Sequence, residues 1–230
     1  MKIATLVVAV VACLSVAMSL VLAGAARGGV ITFGLVEEFS GATPPEGTVP
    51  PAWLTVTIDD GADYTDGIVT LTLAATNLTG SEKVKEWCLN LDPAFSPTNL
   101  VFTNPVKTGA FSDPTISKGT DAYKADGDGL YDIEFAFDHT GNASKNFGGG
   151  ESIQYTMTLS SGGTLTAASF DFLSAPAGGH GPYLTAAHVQ NTGADGEGSG
   201  WITAPEPATL SILATGTVFC FLAARRKKAA

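Results

Sequence analysis

Residues 126–132 read Asp-Gly-Asp-Gly-Leu-Tyr-Asp. Carboxylates at the first, third and seventh places of a glycine-rich loop can converge on a hard cation, and calcium accepts such an oxygen set. Asp126, Asp128 and Asp132 are therefore the candidate metal ligands. The pattern departs from an EF-hand: Leu130 holds the fifth place, and Phe137 the twelfth, where a bidentate glutamate is needed. Read structurally, the same residues form a turn entering a strand, with Asp and Gly supplying the backbone conformations. A calcium site here would have a dissociation constant on the order of 10⁻⁴–10⁻³ M, as extracellular modules do. Asp59, Asp60, Gly61, Ala62 and Asp63 make a second acidic turn with the same two readings.

Other chemistry is sparser. His139, His180 and His188 are too scattered for a metal-binding helix, and neither an H-E-x-x-H nor a G-x-S-x-G motif occurs. His188 falls in an apparent strand, as a polar core residue or as a ligand. Paired carboxylates can run a glycosidase only when they face each other across a cleft, which sequence does not show. The expectation is a non-catalytic protein. Trp53, Trp87 and Trp201 could stack on sugar rings. Trp87 alternates with Leu89 and Leu91 and reads as core, whereas Trp201, beside a glycine-rich stretch, is the better candidate for exposure.

Charge narrows the partners. The chain has 12 basic and 22 acidic residues, a net of −10. Between residues 27 and 206 there are seven cations against all 22 acids, a net of −15. Such a surface repels phosphates, so nucleic acid is not an expected partner. Divalent cations and neutral sugars fit it, as does plain solubility. Of three cysteines, Cys13 and Cys220 lie in apolar terminal segments, leaving Cys88 alone between them. No disulfide within the central domain is therefore expected.

The two ends carry the clearest signals. Lys2 precedes an apolar run reaching Leu22, then small residues including Ala23 and Ala25, the layout of a signal peptide over 1–26. At the other end, residues 208–224 carry no charge. As a helix they would span about 26 Å at 1.5 Å per residue, slightly short of a hydrocarbon core of about 30 Å. Arg225, Arg226, Lys227 and Lys228 follow as a cytoplasmic membrane stop. Immediately before the apolar run stand Pro205, Glu206 and Pro207. Two prolines around one acid disfavour helix and make an extended segment.

This tail, residues 204–230, resembles the PEP-CTERM sorting signal, with its Pro-Glu-Pro motif, transmembrane helix and basic cluster in that order. One departure is that the cluster mixes Lys with Arg and is followed by two alanines. The resemblance implies recognition at Pro205, Glu206 and Pro207 by an exosortase, a membrane-embedded cysteine peptidase of Gram-negative bacteria. It also implies export across the inner membrane, transient anchoring there, and delivery to the cell envelope, the surface or an exopolysaccharide matrix, with extracellular polysaccharide as a further partner. The alternative is a carbohydrate- or calcium-binding adhesion module, permanently anchored by an uncleaved tail. Segments of the middle region are also similar to PEP-CTERM proteins: 91–93, 123–129, 149–152, 187–190 and a closing Gly-Ser-Gly-Trp-Ile at 198–202. They imply no catalytic role.

The elements that must position these residues occupy 27–203. Residues 53–58 and 68–73 alternate apolar residues with Thr, the period of strands with one buried face. Residues 83–91 and 131–138 alternate too, the latter placing Tyr131, Ile133, Phe135 and Phe137 on one face. Residues 152–159, 164–173 and 183–189 look similar, and Gly, Asn, Asp and Ser clusters separate them. Eight or more strands without helical periodicity predict an all-β, antiparallel, jelly-roll-like β-sandwich, with a glycine-rich linker near its end.

Overall fold

The computed structural model describes residues 29–62 and 65–205, and within them the protein is all-β with antiparallel sheets. Twelve strands appear: β1 Val30–Leu35, β2 Glu37–Glu38, β3 Leu54–Asp59, β4 Val69–Ala74, β5 Lys83–Leu89, β6 Leu100–Thr108, β7 Thr115–Ala125, β8 Asp128–Ala136, β9 Phe147–Gly148, β10 Ser152–Leu159, β11 Thr185–Thr192 and β12 Gly198–Thr203. They form two sheets, ordered β1-β3-β4-β10-β6 and β2-β12-β11-β5-β8-β7, with β9 alongside β5. The signal peptide and the membrane helix expected from sequence lie outside the described residues. Among the described residues no helix is long and apolar enough to cross a membrane.

The core follows from alternation. In β3 and β4 every second residue is buried, so Leu54, Val56, Ile58, Val69, Leu71 and Leu73 face inward while threonines face out. The opposite sheet contributes Trp87, Leu89, Ile133 and Phe135, all at most 1% exposed. Burying each such side chain contributes about 1.5–3 kcal/mol relative to leaving it in water. The one polar atom of the Trp87 ring is satisfied, since Nε1 donates to Thr185 Oγ1 at 3.0 Å. Threonine Oγ1 in turn donates to the Cys88 carbonyl at 2.8 Å. Phe102, on the edge strand β6, closes one side with edge-on contacts to Phe135 and Tyr155.

A second, smaller cluster sits apart from this core: Phe39, Cys88, Ala125, Tyr131, Ala186 and Trp201. Tyr131 was expected to share a face with Ile133 and Phe135 but belongs here. The start of β8 leaves β5, and its Leu130 pairs with Ala175 instead. Residues 164–173, expected as a strand, form a 3-10 turn at Ala167–Phe170. Ser169 N–H donates to the Thr166 carbonyl and Thr166 N–H to Ser169 Oγ, a local exchange that competes with strand pairing.

The closing segment, residues 198–202, lies in β12, paired with β11 on one side and β2 on the other. Glycine is required there by space. A Cβ on Gly198 would stand 2.7 Å from the Thr192 carbonyl oxygen, and one on Gly200 2.9 Å from that of Thr43.

Candidate functional site

The end of β12 adjoins the region that the sequence marks most strongly. β12 ends at Thr203, whose carbonyl accepts from Val36 N–H at 3.0 Å. Ala204 is buried and Pro205 is exposed. An open groove lies between this departing segment and β1, lined by Ile31, Phe33, Gly34, Asp171, Leu184 and Pro205. Of the sorting residues, Pro205 stands at this rim. Glu206, Pro207 and the basic residues Arg225, Arg226, Lys227 and Lys228 lie outside the described residues.

In the acidic loop Asp126, Asp128 and Asp132 are not gathered into one ligand set. Asp126 is exposed and sits at φ 52°, leading into Gly127 at φ 79°. Asp128 is turned away from it. Its Oδ1 accepts from the backbone N–H groups of Gly179 and His180, and its Oδ2 meets His180 Nδ1 at 2.8 Å. The His180 bonds hold the Asp128 carboxyl below the usual carboxylate range, the side-chain bond contributing most. Asp132 accepts from Leu91 N–H through Oδ2 and from Asp121 N–H through Oδ1, both at 2.9 Å. Asp128 and Asp132 thus serve separate segments. Among the described residues no group of three or more His, Cys, Asp or Glu is placed to hold a metal ion.

The second acidic turn shows the same use. Asp59 accepts from Gly61 N–H at 2.7 Å, a local turn. Asp60 is buried and accepts from Ala167 N–H at 2.9 Å and from Gly29 N–H. Asp63 lies outside the described residues. Glu82 joins this group, binding Glu46 N–H and Thr79 N–H at 2.7 Å each. So does Glu151, which binds Ala110 and Gly148 N–H. Charge-assisted bonds of this kind are about twice as strong as neutral ones. In a fold whose one described cysteine, Cys88, is free and buried, they are what clips loop to strand.

The histidines are not brought together. The His180 side chain is 57% exposed, oriented by Asp128. His139 is exposed, its carbonyl accepting from Lys83 Nζ at 3.0 Å. His188 stacks on Trp201 with ring centroids 4.9 Å apart and planes 11° from parallel. Burial, aided by the Lys85 cation, lowers its pKa, and its Nδ1 has no hydrogen-bond partner. The expectation of an exposed Trp201 is overturned: it is 8% exposed, as is Trp53, and Trp87 is fully buried. Phe39 packs in the same cluster, and the backbone of Trp201 is bonded to Phe39 and Ser40. None of the three tryptophans presents a face for a sugar ring.

On the outer face of the second sheet, Glu134 and Glu86 stand on neighbouring strands. Burial and the Glu86 charge raise the Glu134 pKa, while Glu86 itself is paired with Lys85 at 2.8 Å. Sequence reasoning did not single out this pair, and its signal was the alternation of charge with apolar residues in β5 and β8. Comparison of the chain with protein-family models, with curated proteins and with solved structures finds no match to any of them.

Proposed function

We propose that the chain is an exported, non-catalytic protein of the cell envelope or extracellular matrix, sorted by an exosortase through Pro205, Glu206 and Pro207. In this reading residues 208–224 form a temporary anchor and Arg225, Arg226, Lys227 and Lys228 hold its end in the cytoplasm. The sandwich, taken as jelly-roll-like because most successive strands cross between sheets, is the cargo. It is an acidic module held together by carboxylate clips.

One observation carries the reading. The last described strand, β12, ends at Thr203, two residues before the tripeptide, and Pro205 is solvent-exposed. A cargo domain that ends where its address begins is the layout that a membrane-embedded cutter requires. The test is fractionation of Gram-negative cells with and without a functional exosortase. The protein is expected outside the inner membrane in the first and retained in it in the second. Identical distribution in both would refute the proposal.

A further inference from the structure

We propose that Pro205 and Pro207 are strand stops: they occupy the two positions at which a continuing β12 would owe hydrogen bonds to the free edge of β1. A tail that continued β12 would therefore forgo the bonds that reward pairing with that edge. The strand stop stands on its own geometry; only its use in presenting the tail to a peptidase rests on the sorting reading.

The edge itself is receptive. β1 reads Val-Ile-Thr-Phe-Gly-Leu, without charge, proline or bulge, in unbroken register with β3, and its other side carries no strand among the described residues. The remaining edges are guarded in familiar ways. β6 carries a bulge at Asn104 and Pro105, with Asn104 at φ 51°. β7 breaks register across residues 119–122. β2 is two residues long. Nothing in β1 itself prevents a strand from adding.

The direction of its backbone groups can be worked out. Asp60 N–H donates to the Gly29 carbonyl and Trp53 N–H to the Leu35 carbonyl, so the odd-numbered residues of this strand turn toward β3. In extended chain the backbone groups of successive residues point to opposite sides. Val30, Thr32, Gly34 and Val36 therefore turn theirs to the free side, and Val36 does so observably, donating to the Thr203 carbonyl. In β12 Thr203 stands opposite Glu37, and Val36 N–H bonds to the same residue, so Val36 and Glu37 form a one-residue bulge facing Thr203. Counting antiparallel from the Val36 bond, beyond that bulge, puts residue 205 opposite Gly34 and residue 207 opposite Thr32, both in hydrogen-bonded positions. A residue in such a position donates its N–H to the facing carbonyl, and proline has none. Each rung would lose one of its two bonds and set a ring Cδ against that carbonyl. Glu206, the one member with an N–H, would turn it the other way. The open groove between Pro205 and β1 is what this arithmetic leaves.

The test compares the full chain in detergent micelles with its Pro205→Thr/Pro207→Thr variant by residue-resolved amide exchange. Threonine restores the N–H and favours strand. In the wild type, Thr32 and Gly34 amides are expected to exchange at least about tenfold faster than those of Ile31 and Phe33. In the variant they slow by about tenfold or more, while the amides of β4 keep their protection and certify the fold. The single variants Pro205→Thr and Pro207→Thr guard against a double variant that does not fold; each should protect its own facing residue, Gly34 or Thr32. Unchanged exchange at both residues, in any variant whose β4 stays protected, overturns the proposal. The readout involves no peptidase. Processing lost while exchange stays unchanged would overturn the strand stop and leave sorting intact. Protection gained in a protein whose tail is never processed would support the strand stop and overturn sorting.

Discussion

Removing the Asp60 carboxylate tests the claim that acidic side chains act as clips rather than as ligands. Asp60 is 6% exposed and joins the end of β3 to two distant segments. Ala167 N–H, 107 residues away, donates to Oδ2 in a buried setting, and Gly29 N–H donates to Oδ1 where solvent is nearer. Asp60→Ala strands the first donor, at about 1–3 kcal/mol, and releases the second toward water, at about 1 kcal/mol. The sum is about 2–4 kcal/mol. For a domain of this size each kcal/mol moves Tm by about 2–4 °C, so a fall of about 4–16 °C is expected. Asp60→Asn keeps one acceptor of the same shape and should lose about half as much. Urea unfolding followed by tryptophan fluorescence reads both variants, since Trp53, Trp87 and Trp201 are at most 8% exposed and report the whole sandwich. A loss below about 0.5 kcal/mol in Asp60→Ala, the range of ordinary surface changes, would refute the reasoning.

Glu134→Gln should raise Tm at pH 7: a carboxyl whose folded pKa is raised by burial and by Glu86 binds protons more readily folded than unfolded, so its charge costs stability above that pKa. The gain should vanish below about pH 4, where the unfolded carboxyl is also protonated; a variant no more stable at pH 7 would contradict the assignment. His188 has the opposite slope, its lowered pKa favouring the neutral ring, so its contribution to stability falls as pH drops below about 6.5. Because an imidazolium stacked on indole quenches fluorescence, Trp201 emission should titrate with a midpoint below that value, and a midpoint above it would argue against burial as the cause. Asp128→Ala should lower Tm and Asp126→Asn, which keeps a side chain suited to φ 52°, should leave it unchanged, with millimolar calcium shifting neither variant nor the wild type by more than about 1 °C; a calcium-dependent rise lost in Asp126→Asn would restore the cation site.

The strands legible in the sequence were those with one wet and one dry face. Residues 152–159 match β10 at both ends, and β3, β4 and β5 were placed within a residue or two, because threonine and charge alternate there with Val, Leu and Ile. β6 and β7 escaped notice because they are edge strands, mostly exposed on both faces, and so carry no alternation. β12 was hidden by its glycines, which look like linker and are present because Thr43 and Thr192 crowd that surface. Position relative to Thr203 could not be read either, since it depends on the pairing of β12 with Val36 and Glu37 from the far end of the chain. The acidic turns show the limit most clearly. The spacing of Asp126, Asp128 and Asp132 suggested one shared partner, whereas Asp128 and Asp132 reach donors at residues 179, 180, 91 and 121. Short-range spacing records which carboxylates are near each other in sequence, and long-range backbone donors decide what each one binds.

The intact mass of the protein recovered from the envelope of a Gram-negative cell that carries an exosortase tests the central claim most directly. A species lacking residues 1–26 and ending within a few residues of Pro205 is the result the sorting account predicts. A species that retains the apolar run 208–224 and the basic residues 225–228, in cells whose exosortase is active on other substrates, would contradict it.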